Sequence, residues 1–443
     1  MILMLNYLIR KKTHINSGLR ILYTLILIAL YSNVLKIWIG SWATLASDVA
    51  LVIALSSLIN YRWNPKHSGS LTFIFVSAFM LILLSAFELL NENISNHLYS
   101  LIEFRKTFFQ LLMLFIGYAY FDPEKGSDEG VRLIKFIVFA SLPLILYGVK
   151  QFFAFDSFDA KLYSLMDSAS DTNRYGNTIR AISFFSGPFH YGMFSALIFA
   201  LCLYLERKTA EKKFYALAFI SIIGVFCSYT RTNMACCLIV IASFLLLSGA
   251  KEGAYVKVSG VRAVLACLGL AVAGLLFFST PGNVNLGNSQ INSLINSMLN
   301  ASEDTRLTNR FLTWNQAIHL IELHPLTGNG IGSAGDTLAA HSVAVNWVTP
   351  HNAFLKVTVE MGLCGTIIFT LFFMTVFVLC LKNSIRNPAS LPLVVSVTAI
   401  VLINMMLGST LGTFPVMTLI YLLIGVVCKS VESALPSRKG YDD

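Results

Sequence analysis

Uninterrupted apolar runs of about 20 residues recur along almost the whole chain, and nothing else in the sequence restricts its folding as tightly. Each is long enough to cross hydrocarbon as a helix, which satisfies every backbone polar group internally. Twelve can be placed, at about 21–39, 43–60, 71–90, 107–121, 134–153, 183–205, 214–230, 232–250, 263–280, 352–381, 391–408 and 413–429. The last two lie in a charge-free stretch of 42 residues, Asn387 to Cys428, which LGSTLGTFP (407–415) divides with a Gly/Pro turn. The runs do not alternate with period two, which argues against a transmembrane barrel. Only 12% of the 443 residues are charged, against roughly 25% in a soluble domain, and a soluble enzyme is excluded. The expectation is an all-α polytopic membrane protein of about 12 transmembrane helices, a single membrane-embedded domain over 1–443.

The chain opens with apolar residues and follows them with Arg10, Lys11 and Lys12. That order is the reverse of a signal peptide, so an uncleaved, cytoplasmic N-terminus is expected. With that orientation 21 of the 32 lysines and arginines fall in cytoplasmic segments and both termini lie inside. The +9 net charge then reads as an orientation signal, and no nucleic-acid partner is needed. Two outer segments are long: a smaller loop at 154–182 and a large one at 281–350, between spans nine and ten. The large loop contains FLTWNQAIHLIEL (311–323), where Phe311, Trp314, Ile318 and Ile321 recur at helical spacing, and GNGIGSAG (328–335), expected to be a flexible turn. The eight cysteines sit in apolar runs without CxxC or Cys/His spacing and read as small hydrophobes.

Outer segments of such a protein are poor in positive charge, so their arginines are conspicuous. Arg231 stands in SYTRTN between two spans that almost touch, where a guanidinium offers planar donors to a phosphate. Arg306 and Arg310 lie four apart and would share a helix face. Arg174 and Arg180 precede the sixth span, above Gly187, Pro188 and Gly192. Arg105 and Lys106 hold a similar place at the fourth. His351 opens a long apolar run in TPHNAFLKVTVEMGLCG, with Asn352 beside it and Glu360 inside the run. A histidine there can act as a base or donor, and a carboxylate within an apolar span normally faces a cavity or a partner. No His, Cys, Asp or Glu set has metal-ligand spacing, and Walker and GxSxG motifs are absent, so neither metal nor other cofactor is expected.

Three segments together, YTRTN (229–233), TNRFLTWNQAIHLIELHPLTGNGIG (308–332) and HNAFLKVTVEMGLCG (351–365), resemble the O-antigen ligase and polymerase superfamily of bacterial envelope glycosyltransferases. That family has an arginine between two spans, then R-x3-W, a glycine-rich HPL turn, and an HN motif entering a span. The resemblance implies a GT-C-like fold and a metal-independent, inverting glycosyltransferase. It implies work on the periplasmic face of the inner membrane, with an undecaprenyl-pyrophosphate-linked glycan as donor. Carried over by position, Arg231 corresponds to the pyrophosphate-binding arginine, Arg310 with Trp314 to R-x3-W, and His351 with Asn352 to the HN motif, its histidine activating the acceptor hydroxyl. Glu360 falls on that motif's carboxylate. Arg180 in RAISFFSGPFHYG is similar to an arginine of the polymerase branch, although Phe-His stands here where many members have Pro-Asn. Arg306 has no firm counterpart in the pattern.

The implied chemistry is coherent, since a departing pyrophosphate gathers negative charge that arranged arginines can stabilise in place of a metal. The leading expectation is a polymerase of O-antigen, capsule or exopolysaccharide repeat units, with a membrane-bound chain-length regulator as a further partner. The alternative is a ligase acting in lipopolysaccharide biosynthesis, which moves the finished glycan to lipid A–core. A lipid-linked oligosaccharide transporter is a third reading. It fits twelve spans, but the large outer loop has no counterpart in the first half.

Overall fold

The computed structural model describes residues 17–40, 42–56, 69–123, 129–166, 174–175, 178–247, 305–335, 344, 346–386, 388–408 and 410–434. The expected span at 263–280 and the first part of the large outer loop lie outside them. The described residues form fourteen α-helices: α1 (Ser17–Ile39), α2 (Trp42–Ser56), α3 (Gly69–Phe87), α4 (His97–Thr107), α5 (Leu112–Tyr120), α6 (Glu129–Phe153), α7 (Ser157–Leu165), α8 (Pro188–Thr209), α9 (Lys213–Ser228), α10 (Arg231–Leu247), α11 (Thr305–Leu323), α12 (Ala353–Arg386), α13 (Leu391–Leu407) and α14 (Val416–Ser433). Among the described residues the only strands are β1 (Arg174–Tyr175) and β2 (Thr178–Ile179), an antiparallel pair leading into Arg180. Among the described residues six helices are long and apolar enough to cross a membrane: α1, α3 with its extension to Leu90, α6, α8, α12 to Ser384, and α14. Shorter apolar stretches occupy α2, α9, α10 and α13.

Two expected spans take a different form. The run at 107–121 is not one helix but α4, a 3-10 turn at Phe109–Leu111, and α5. Gln110 is buried at that bend, where its amide donates to Lys106 O and its Oε1 accepts from Thr418 Oγ1 at 2.8 Å. A polar side chain in an apolar run needs such partners, and the bend supplies them. The run at 352–381 is α12, broken at Gly362, whose φ of 64° and ψ of −169° are not helical.

α8 is the axis of the bundle. Some 78% of its most apolar stretch is buried inside the protein, against 28% for that of α12. α9 packs along α8, and α6, α10 and α13 also lie against it. α5 and α14 come close through Gly117 and Gly425, each set against the other helix's backbone where a methyl would overlap.

Segments expected on the outer side are bonded to one another at one end of this bundle. Lys36 donates to Leu165 O at 2.9 Å, Asn33 to Phe184 O at 2.9 Å, and Ser100 to Ile331 O at 2.6 Å. Ile94 bridges to Ala344. At the other end Glu211 pairs with Lys135 and Lys213, and Arg207 donates to Leu247 O at 3.4 Å.

Candidate functional site

The turn between α9 and α10 is shaped by Tyr229, whose φ of 55° lies in the left-handed region. Ser228 Oγ and Thr230 Oγ1 lie 2.7 Å apart, and Asn233 Nδ2 donates to Thr230 Oγ1 at 3.0 Å and to Phe189 O at 3.1 Å. The turn is thereby fastened to the first turn of α8. It fits only because residue 192 is glycine: a methyl there would overlap Thr230 Oγ1, Ser228 Oγ and Asn233 Nδ2. Arg231 follows as the first residue of α10, half-buried, where the helix N-terminus adds positive potential.

Arg180 reaches the same turn from a distant part of the chain. Ala181 N donates to Cys227 O at 2.9 Å, and Arg180 Nε donates to Ser228 O at 3.4 Å. Tyr163 of α7 holds the segment from behind, its hydroxyl donating to Arg180 O, and burial pushes that hydroxyl's pKa up. Arg174 lies on β1, its backbone paired with Ile179.

His351 is exposed and has a φ of 46°, an unfavourable backbone for a non-glycine residue. Its neighbours set its place. Trp314 Nε1 donates to Pro350 O at 2.8 Å, which ties α11 to the residue before it. Asn352 caps α12: Oδ1 accepts from Phe354 N at 2.9 Å and Leu355 N at 3.1 Å, while Nδ2 donates to Met406 O at 3.1 Å near the end of α13. Just past that end Gly408 packs on the Phe189 ring, beside the Asn233 bond to Phe189 O. The His351 and Arg231 helix starts thus lie at the same end of the bundle. Arg310 is half-buried one turn before Trp314, on the face of α11 that meets the His351 segment. The side chains of Arg174 and Arg306 lie outside the described residues.

Glu360 is wholly buried, bonded to Lys356 Nζ at 2.9 Å and to Gly332 N at 3.0 Å. The glycine turn is packed into the protein. Residues 328–335 are buried, Gly328, Gly330 and Gly332 take positive φ, and the loop fits against the break in α12. Asn329 N donates to Val359 O at 2.7 Å, Gly330 N to Glu360 O at 3.1 Å, and Leu363 N to Pro325 O at 2.8 Å. Lys356, which the sequence reading passed over, also donates to Ala334 O at 3.0 Å and stands 3.8 Å from Glu103 Oε2. Its spacing of four from Glu360 within an apolar run was the available signal. Gly192 carried no comparable signal, because its role depends on what packs over it.

These features define a multi-pass helical membrane protein with arginines and a histidine gathered at one end of the bundle. Residues 216–370, roughly a third of the chain, match the family model described as O-antigen ligase. Over that stretch the chain is similar to the O-antigen ligase family. The matched stretch runs from α9 into α12 and takes in Arg231, Arg306, Arg310, Trp314, His351, Asn352 and Glu360, while Arg174 and Arg180 precede it. No curated protein matches the chain.

Proposed function

We propose that this protein is a glycosyltransferase of a bacterial inner membrane that joins lipid-linked repeat units into an O-antigen, capsule or exopolysaccharide. Its donor is an undecaprenyl-pyrophosphate-linked glycan, its active site faces the periplasm, and its span count is about twelve in a GT-C-like arrangement. The observation that carries this reading is the shared turn of Arg180 and Arg231, two cations from distant segments fastened beside Ser228.

In this reading an acceptor hydroxyl attacks the anomeric carbon from the face opposite the pyrophosphate, and the configuration inverts. The bond from that carbon to the pyrophosphate oxygen breaks, leaving its electron pair on the oxygen. Arg180, Arg231 and Arg310 stabilise that growing charge without a metal. His351 takes the hydroxyl proton. Asn352 and Trp314 hold the histidine, Glu360 holds the glycine loop, and Arg306 and Arg174 extend the basic rim toward the donor phosphates.

The test is a lipopolysaccharide ladder from a host lacking the gene, complemented with wild type, Arg231→Ala or His351→Ala. Core bearing a single repeat unit in the deletion supports the polymerase. Bare core, with long polymer accumulating on the lipid carrier, means the ligase. Both variants are expected to insert normally and fail to restore the ladder. Near-normal ladders from His351→Ala would remove the histidine from the mechanism.

A further inference from the structure

The proposed reaction brings together two lipid-carried glycans, and the Arg180–Arg231 turn can hold the phosphate of only one. A second place of suitable chemistry lies between α1, α2 and the bend joining α4 to α5. It is a small, open-sided cleft. Its walls are largely apolar, with Leu25, Ile28, Leu51 and Phe109 among them, and Arg105, Lys106 and Asp48 line it beside a few polar side chains. Apolar walls with two cations suit a lipid that bears a phosphate on a long hydrocarbon chain.

Both cations have donors to spare. Arg105 meets Asp48 Oδ2 through Nε at 2.8 Å, and among the described residues its two Nη groups have no hydrogen-bond partner. Those are the groups that grip a phosphate as a fork. Lys106 stands 3.4 Å from Glu103 Oε1, but Glu103 also serves Lys356. The side chains of Arg105 and Lys106 are 33% and 31% exposed while Glu103 is 6% exposed, so the cations face outward and that acid lies behind them.

The cleft also adjoins the candidate site. Lys106 meets Glu103, and the Glu103–Lys356 contact leads on to the first turn of the His351 helix. We infer that this cleft holds the acceptor's lipid carrier, with its chain along the apolar walls and its phosphate on Arg105 and Lys106. The inference rests on the glycosyltransferase reading above.

Native mass spectrometry of the full chain, titrated separately with undecaprenyl phosphate and with phosphatidylglycerol, tests it. Wild type should retain a second equivalent of undecaprenyl phosphate that Ile28→Trp, which fills the cleft, and the double variant Arg105→Gln/Lys106→Gln both lose. Asp48→Asn, which removes the lining carboxylate paired with Arg105, should bind that second equivalent more tightly. In transfer assays the two cleft variants should raise the acceptor KM by about tenfold or more and leave the donor KM unchanged. Unaltered stoichiometry in both variants overturns the inference. So does equal displacement by phosphatidylglycerol, which would make the cleft a seat for bulk lipid. Full transfer by Arg231→Ala would instead defeat the functional reading itself, whatever the cleft binds.

Discussion

Lys356 Nζ lies 2.9 Å from Glu360 Oε1, one helical turn away, with side chains only 2% and 0% exposed. Around this pair Ala334 O accepts from the lysine and Gly332 N donates to the glutamate, so the glycine loop is clipped to the helix that begins at His351. A buried ion pair adds little net stability by itself, but removing one partner strands the other charge. Lys356→Met should therefore cost about 3–5 kcal/mol, read as a lowered melting temperature in detergent. Adding Glu360→Gln to it should recover much of that loss. A single variant as stable as wild type would mean that the pair carries no buried charge.

Gly192→Ala is expected to disable transfer while leaving the bundle folded. The added methyl would overlap three polar atoms of the turn that carries Arg231, and that turn has to move. Displacing a catalytic group by an ångström commonly costs about a hundredfold in rate. The check is transfer by purified protein together with its melting temperature. A large fall in both, in proportion, would point to general unfolding instead.

How much of this was legible beforehand depended on whether a residue's meaning was local. Helices such as α8 and α14 announce themselves as apolar runs. Arg231 and Arg180 were conspicuous because guanidinium groups are unexpected on the outer side, and the structure brings both to one turn. The break at Gly362 was not legible, since a glycine in a span is ordinary and only the Leu326–Thr327 backbone pressing on it shows why the helix stops there. The 3-10 turn near Phe109 coincides with Gln110, a polar residue in an apolar run whose partner Thr418 lies about 300 residues away in sequence. The brace at Lys356 likewise depends on Glu103, which nothing in the sequence links to it.

The segment around α7 should carry an acid-sensitive contribution. Asp156 caps α7 by accepting from Asp159 N at 2.9 Å, and Lys150 reaches it at 2.6 Å. The bond from Lys150 holds the Asp156 carboxyl down to about 2, below its ordinary 3.8. A carboxyl depressed on folding adds stability above its unfolded value, and that contribution fades as pH falls toward the folded one. Asp156→Asn keeps a capping oxygen and loses the charge. The difference in melting temperature between the two proteins should hold steady from neutral pH to about 4 and shrink between about 4 and 2. A difference that does not change over that range would assign the effect to the cap alone.

Trp314 and His351 offer the sharpest check on the site. The indole N–H donates to Pro350 O, a buried carbonyl immediately before a histidine whose backbone is already in an unfavourable conformation. Trp314→Phe keeps an aromatic ring against Phe311 but leaves that carbonyl without its donor. The stability loss should be modest, about 1–3 kcal/mol, because α12 remains capped by Asn352. Catalysis should suffer more than stability, since the freed segment lets His351 relax away from the acceptor. The expected signature is a fall in kcat of about tenfold or more, with the donor KM little changed because the Arg180–Arg231 turn is untouched. A rise in donor KM at constant kcat would instead make Trp314 a wall of the donor site, and unchanged kinetics would mean that the tryptophan's bond does not set the histidine's place.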